Sequence, residues 1–504
     1  MANLAKFQER NQAFIKLLED RRLQHKLQAA QVWQKNFAQW RRTNNVSTTT
    51  KVYVITGAYP DVRSALSARG YFENPDPDSQ YFDIKWCLKT RSIYSPRLQQ
   101  PQLANHFSRA NECLTTKYGL LLSMQSLKWH YNVNYYTFYP RSFDISDPHE
   151  WRAFSACQHH LDCQDRLIDE EKQEGQPGPT DVSAEQWGML LGCPCFVAGS
   201  PAADGSASLA LEDHLRQEVQ KMLEHMQQRG VQFSIAGPNN IWIMKPGGAS
   251  RGRGISCSNN MEEIRERLQG SQQDPVKSRR WIVQKYIERP LIIHDRKFDI
   301  RQWVLVTGLD PLTIWFYQDS YLRFCAEDYD ATNISNVYSH LSNNCIARRS
   351  TQFESGSLGD GNMWSSADFE RYLATTVSDR PGLWRNHIQP QMKRIVEMTL
   401  ACATDTLEQR QNSFELFGFD FAVDTSYNVW LIEVNCSPSL EHSTPVTARM
   451  VKAMVDDLFK VVLDVPVQCK GEARETQGIT APKEADGSPF TEATALVGVV
   501  DRRR

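Results

Sequence analysis

Asp420, Glu433 and Asn435 have the types and spacing to hold a cation. They lie in FGFDFAVDTSYNVWLIEVN, residues 417–435, which reads as two strands around a four-residue turn. Pairing Asp424 with Val429 sets Ala422 against Leu431 and Asp420 opposite Glu433, with Asn435 on the same face. Phe419, Phe421, Val423, Trp430, Ile432 and Val434 then make up the opposite, apolar face. Like charges opposed across a sheet are unfavourable, so the pair calls for compensation. Two carboxylates and an amide oxygen are hard ligands suited to Mg²⁺, which keeps part of its water shell and shares substrate phosphates. A proton shared between the carboxylates, or an arginine bound to them, is the alternative. Asp424 reads as a turn residue.

Lys297, Asp299 and Arg301 alternate in KFDIRQWVLV, so a strand there projects all three to one face. Such a row is costly unless the charges meet a ligand or one another. It suits a phosphate and ribose site, with a surface ion-pair ladder as the plainer alternative. The face runs toward a hairpin partner at Leu312–Tyr317, and Arg323 follows that strand. Upstream, IWIMKPGGASRGRGI (241–255) delivers Lys245 into a loop holding four glycines, Ser250, Arg251 and Arg253. Glycines let backbone N–H groups approach phosphate oxygens, and basic side chains supply counter-charge. The loop is neither GxxxxGK[ST] nor GxGxxG, and a purely structural hairpin loop would look the same. Between these runs, WIVQKYIE (281–288) is an apolar strand reaching a polar break, able to offer Lys285 to a purine ring nitrogen as many strand ends can. No arrangement for a side-chain nucleophile stands out. The 12 cysteines lack a CxxC pair or zinc spacing and read as free thiols of a reduced, cytosolic chain.

Several elements must position these residues. The chain has 504 residues, 41% of them apolar and 23% charged, with a net charge of −2, which excludes wholly disordered, collagen-like and mucin-like classes. The start, MANLAKFQERNQAF, lacks the apolar centre of a secretory signal, and no membrane span is expected. Residues 1–50 contain no Gly or Pro and nine Lys/Arg against three Asp/Glu. They predict one helix over 3–42, roughly 60 Å long. Its charge of +6 suits an acidic polymer surface, or equally a packing helix with a solvated basic face. An α/β subdomain is expected over 51–169, with 60–81 as loops, followed by a variable insertion at 170–207. A central subdomain (208–310) opens on an amphipathic helix at 209–229 and holds another at 261–269. A C-terminal subdomain (311–465) has a helix within 387–410, the 416–435 hairpin, and a last helix at 445–463 capped by Thr444, before a disordered tail (466–504). The fold class is α/β or α+β.

Taken in order, IWIMKPGGASRGRGI, WIVQKYIERPLIIHDRKFDIRQWVLV, WFYQDSYLRF, SHLSNN, SFELFGFDFAVD and WLIEVNCSPSL resemble the tubulin tyrosine ligase-like family of ATP-grasp ligases. The similarity spans Lys51 to Asp464 and is strongest from Asn240 to Val446. KPGGASRGRGI, the block ending SYLRF and PSLEHSTPVTARM look most like the family's glycine ligases. The resemblance implies an ATP-grasp fold with N-terminal, central and C-terminal subdomains. Lys245 would contact the phosphates while the loop with Ser250, Arg251 and Gly252 closes over them. Gln284, Lys285 and Ile287 match adenine positions, and Lys297 and Asp299 those near adenine and ribose. Arg301 and Arg323 match arginines holding the γ-phosphate and substrate carboxylate, and Asp420, Glu433 and Asn435 match magnesium ligands. His340 and Asn343 match a segment that lines the acceptor site or is structural.

The implied reaction uses ATP and Mg²⁺ to join glycine to a glutamate side chain of the acidic tubulin tail, through an acyl phosphate and then an isopeptide bond. Tubulin or microtubules and free glycine are the implied partners, with no nucleic acid or membrane, and a monomer is expected. Cytoplasm, cytoskeleton and the ciliary or flagellar axoneme are the implied locations. A glutamate ligase, a non-catalytic microtubule-binding module, and a ligase acting on a small metabolite are the competing readings.

Overall fold

The computed structural model describes residues 2–93, 98–99, 102–158, 232–247, 252–272, 280–353, 361–408, 412–464 and 490–493. They form a mixed α/β structure built on three sheets. The expected insertion at 170–207 and the helix at 209–229 lie outside the described residues.

The first helix runs from Ala2 to Thr43, uninterrupted by Gly or Pro. Its C-terminal end docks through Phe37, Trp33 and Trp40, which cluster with Val46, Val52 and Tyr81. Arg41 is buried there, lies over the Phe37 ring at 4.3 Å and pairs with Asp83 at 3.0 Å. A parallel sheet follows, ordered β2-β1-β3-β4, from β1 (Val52–Thr56), β2 (Phe72–Glu73), β3 (Ile84–Cys87) and β4 (Leu103–Ala104). The span expected as loops at 60–81 instead holds a helix, Pro60–Ala68, and strand β2. Pro60 opens the helix and Asp61 faces its positive end, while Val62, Ala65 and Leu66 recur at helical spacing and are buried.

The second sheet, ordered β5-β8-β6-β7, consists of β5 (Ser142–Asp144), β6 (Trp242–Pro246), β7 (Ser256–Ser258) and β8 (Trp281–Lys285). Trp242, Met244 and Val283 pack its back against Phe154 and Ile264, the latter from helix Met261–Gln272. Its β5 comes from within the span assigned to the N-terminal subdomain.

The third sheet is ordered β12-β11-β10-β13-β14, with β9 (Ile292–Ile293) beside β10 and β15 (Phe490–Ala493) beside β11. Its members are β10 (Arg296–Leu309), β11 (Leu312–Phe324), β12 (Met363–Ser365), β13 (Glu415–Val423) and β14 (Val429–Cys436). The expected division at 310/311 falls on the turn of the β10–β11 hairpin, so pairing groups β10 with β11, β13 and β14 rather than with β6 and β8. Period-two alternation gives β10 two different faces. Phe298, Ile300, Val304 and Val306 enter the main core, with Phe369, Met392 and Val396 from helices Ser366–Thr376 and Gln389–Ala401. Lys297, Asp299 and Arg301 begin the other face, which ends in Trp303 and Leu305. These two pack toward Trp86, Met454 and Phe459, the last two on helix Pro445–Phe459, whose cap Thr444 accepts from the Thr447 amide at 3.2 Å.

The β13–β14 register departs from expectation. Val423 pairs with Val429, Ala422 with Trp430 and Phe421 with Leu431, and a bulge then restores Asp420 opposite Glu433. Val429 and Leu431 therefore enter the main core, whereas Trp430 and Ile432 join Ala422, Ile235 and Ile287 in a separate cluster. One extra residue thus places Ile432 and Glu433 consecutively on the side of the cleft. Asp424 holds the turn, accepting from the amides of Ser426 and Asn428 and from the Trp430 indole. In the tail, Phe490–Ala493 form a strand antiparallel to Ile314–Tyr317, which corrects the expectation of disorder for those four residues; the rest of 466–504 lies outside the described residues.

Candidate active site

A cleft of about 690 Å³ opens where the second sheet meets the charged face of the third. Lys245, Gln284, Lys285 and Ile287 line one side, and Lys297, Asp299, Arg323, Asp420 and Glu433 the other.

Asp420 is the electrostatic centre. Arg301 grips it with two bonds, Nε to Oδ1 at 2.5 Å and a terminal nitrogen to Oδ2 at 3.1 Å, and Arg323 reaches Oδ2 at 3.0 Å. Burial raises the cost of its charge, but the two guanidiniums outweigh this and hold the carboxyl well below the usual range. Burial likewise opposes the charge of Arg301, and Asp420 more than offsets it, so that its affinity for the proton rises. The arginine-bound reading of the Asp420/Glu433 pair is thus present in the structure. Gly418 makes room for this grip: a Cβ there would meet Pro438 at 2.8 Å and the Arg301 side chain at 3.3 Å. Asn435 Nδ2 donates to Asp420 and to Glu433, both at 3.2 Å. Glu433 is more open, its side chain 24% exposed, with Lys117 Nζ 3.8 Å away.

Lys297 Nζ donates to Asp299 at 3.1 Å and to the His340 carbonyl at 3.4 Å. Its charge is disfavoured by burial yet retained above the ordinary range by Asp299. Ser342 Oγ fixes the second Asp299 oxygen at 2.5 Å. The His340 ring is a buried wall rather than a reactive group. Its Nδ1 meets the Tyr286 hydroxyl at 2.9 Å and its Nε2 the Asn333 carbonyl at 3.1 Å, and burial pushes its pKa down.

Lys245 Nζ donates to Gln284 Oε1 at 2.5 Å, and Gln284 Nε2 donates to Ser142. Burial lowers the Lys245 pKa to about 8. Lys285 donates to the Ile241 carbonyl at 3.1 Å and pairs closely with buried Glu288, leaving one of its three N–H donors for a ligand. Ile287, Ala422 and Ile432 give the cleft an apolar side. Gly252, at φ +72°, approaches so closely that a Cβ would meet Ile346 at 2.5 Å and Asn343 at 3.0 Å. Ser250 and Arg251 lie outside the described residues, and Asn343 lines the cleft.

The residues fit a magnesium-bearing polyphosphate. Lys245, Lys297 and Arg323 supply positive charge around Asp420 and Glu433, and Arg323 Nε is buried without a hydrogen-bond partner. Sequence reasoning missed Lys117, Ser342, Glu288 and Gly418 as members of the site. Lys117 carried a signal. It opens helix Lys117–Tyr131 just after its Thr116 cap, where a cation opposes the helix dipole and needs another reason to be there.

The chain is similar in sequence to several known proteins. Tubulin glycylase 3C of Tetrahymena thermophila is 32% identical over 91% of this chain and 50% of its own length. Protein monoglycylase TTLL8 of Mus musculus is 31% identical, covering 82% of this chain and 61% of that protein. Tubulin monoglycylase TTLL3 of Danio rerio is 30% identical, covering 82% and 66%. The chain spans about half to two thirds of the length of these curated relatives. Residues 199–473, which include every site residue named above from Lys245 to Asn435, match the tubulin-tyrosine ligase family. The chain belongs to the tubulin-tyrosine ligase family.

Proposed function

We propose that this protein is an ATP- and magnesium-dependent ligase that attaches glycine through an isopeptide bond to glutamate side chains of tubulin's acidic tails. The observation that carries the reading is the convergence of Lys245, Lys297 and Arg323 with Asp420 and Glu433 on one cleft between two sheets. The names of the relatives, glycylase and monoglycylase, support glycine as the donor. On this reading the fold is an ATP-grasp, with N-terminal, central and C-terminal subdomains holding ATP between the second and third sheets.

On this reading each residue takes a separate role. Ile287, Ala422 and Ile432 offer the adenine an apolar slot, with Lys285 at its edge. Asp299, held by Ser342 and Lys297, presents its carboxylate to ribose. Lys245 and the loop bearing Ser250, Arg251 and Gly252 bind the phosphates. Glu433 and Asp420, with Asn435 turned to offer its oxygen, would hold magnesium, which would supply charge neutralisation at the phosphates. Arg301 keeps Asp420 ionised, and Arg323 is placed to bind the γ-phosphate or the acceptor carboxylate. That carboxylate attacks the γ-phosphorus of ATP and displaces ADP to give an acyl phosphate. The neutral glycine amine then attacks the acyl carbon, expelling phosphate and giving up a proton to solvent, so no side-chain nucleophile is required. The proposed setting is the cytoskeleton, in cilia and flagella, with the enzyme acting as a monomer.

Intact-mass spectrometry of microtubules incubated with the protein, Mg·ATP and either glycine or glutamate tests this. A tubulin mass gain of one glycine residue, in the glycine tube alone, is expected. Gain only with glutamate overturns the donor while keeping the chemistry. No gain in either tube, with microtubule binding intact, favours a binding module.

A further inference from the structure

We propose that residues Phe14–Val32 of the N-terminal helix are a target segment for an acidic, methionine-lined clamp of the calcium-loaded EF-hand class. The inference is independent of the proposed ligase reaction.

Every side chain from Phe14 to Ala29 is exposed, although the same helix is firmly docked from Trp33 to Arg41. Phe14, Ile15, Leu18, Leu23, Leu27 and Val32 are each 49–59% exposed, an unusual load of large apolar groups for a solvated helix. Their placement says what shape would cover them. At about 100° per residue, Leu18 lies about 40° from Phe14, Ile15 about 100°, Leu23 about 180° and Leu27 about 220°, and Val32 returns to the start. The apolar groups therefore surround the helix instead of forming one stripe. A flat bilayer, a polymer wall or a second helix would cover one side and leave either Phe14 and Leu18 or Leu23 and Leu27 in water. Only a partner that wraps the helix covers both.

Two further features narrow the chemistry. Phe14–Leu18–Leu23 and Leu23–Leu27–Val32 repeat the same steps of four and five residues, so anchors of one spacing are offered twice. Lys16, Arg21, Arg22 and Lys26 lie among them against Glu19 and Asp20, an excess of positive charge complementary to an acidic partner. Basic helices with apolar anchors are the ligands of opened EF-hand grooves, whose conformable methionines accept anchors pointing in different directions.

The test uses the full-length chain and calcium-loaded calmodulin as the probe, followed by titration calorimetry with calcium and with a chelator. Saturable binding that requires calcium is expected, weakened at least about tenfold by Leu23→Asp combined with Leu27→Asp. A Gln34→Asp control should bind normally, and all variants should keep the parental melting temperature. Absent binding, binding indifferent to chelator, or binding unmoved by the double substitution overturns the proposal. So does a result in which the double substitution instead abolishes sedimentation with phosphatidylserine vesicles or with tail-cleaved microtubules while calmodulin fails to bind.

Discussion

Asp420 and Glu433 face each other across two strands, yet their surroundings make them unequal. Two guanidiniums neutralise buried Asp420, whereas Glu433 meets Asn435 and a more distant Lys117. On the proposed function Glu433→Gln should abolish ligation, and its open surroundings should leave the melting temperature nearly unchanged; normal ligation by this variant would remove Glu433 from the proposed metal site. Asp420→Asn should instead cost about 3–5 kcal/mol, because Arg301 and Arg323 would stay buried without their carboxylate. Chemical denaturation of the two variants separates these outcomes, and equal stabilities would contradict the inequality. Lys245 supplies a pH test. Burial lowers its pKa to about 8, so in the free protein it loses its charge as pH rises through that value. ATP affinity should weaken by up to about tenfold per pH unit above 8, and Lys245→Met should lose that slope along with much of the affinity. A wild-type affinity that is flat from pH 7 to 9 would place the amine away from the phosphates.

Elements are joined by a few buried polar contacts, and His106–Glu415 is the clearest. His106 follows β4, and Glu415 begins β13. Their side chains meet at 3.1 Å, each about 1% exposed, while His106 also donates to the Cys87 carbonyl of β3. Burial opposes the imidazolium, but the bond to Cys87 and the Glu415 carboxylate outweigh it and raise the His106 pKa to about 10. A raised folded-state pKa gives stability that is fully present below the unfolded value near 6.5 and lost as pH rises toward 10. Unfolding free energy should thus decline between about pH 6.5 and 10, and His106→Gln should flatten that decline. An unchanged slope in the variant would assign the pH dependence elsewhere. This joint was invisible in the sequence because its partners are more than 300 residues apart and neither belongs to a periodic pattern. The β13–β14 hairpin was legible where alternation is strict, as in Phe417, Phe419 and Phe421. It was misread at Trp430 and Ile432 because a bulge adds a residue without changing the composition of the strand. The charged face of β10 was read from spacing alone, since Lys297, Asp299 and Arg301 leave a strand no other arrangement. The helix Pro60–Ala68 was lost among Pro, Asp and Asn residues that also mark loops, although its buried stripe of Val62, Ala65 and Leu66 was there to be found.

At the scale of the whole molecule, the three sheets share one body, and the first helix is anchored to it at one end. That anchor is concentrated at Arg41, which pairs with Asp83 and donates to the carbonyls of Ser47 and Thr50, while Asp83 also accepts from the Val52 amide at the start of β1. The chain leaving the helix is thereby tied to the first strand of the parallel sheet. Removing the guanidinium loses its bonds to Asp83, Ser47 and Thr50, although Asp83 keeps Lys51 and the Val52 amide, so Arg41→Ala should destabilise the protein by about 1–3 kcal/mol. Truncation of Ala2–Ala30 should leave the melting temperature within about 2 °C of the parent, because the exposed side chains of Phe14–Ala29 contribute little burial to the body. Thermal unfolding of both variants decides the matter. A truncation as damaging as Arg41→Ala would make the distal helix part of the packed body. An undamaged truncation beside a weakened Arg41→Ala leaves it as an arm whose apolar side chains serve a partner rather than the fold.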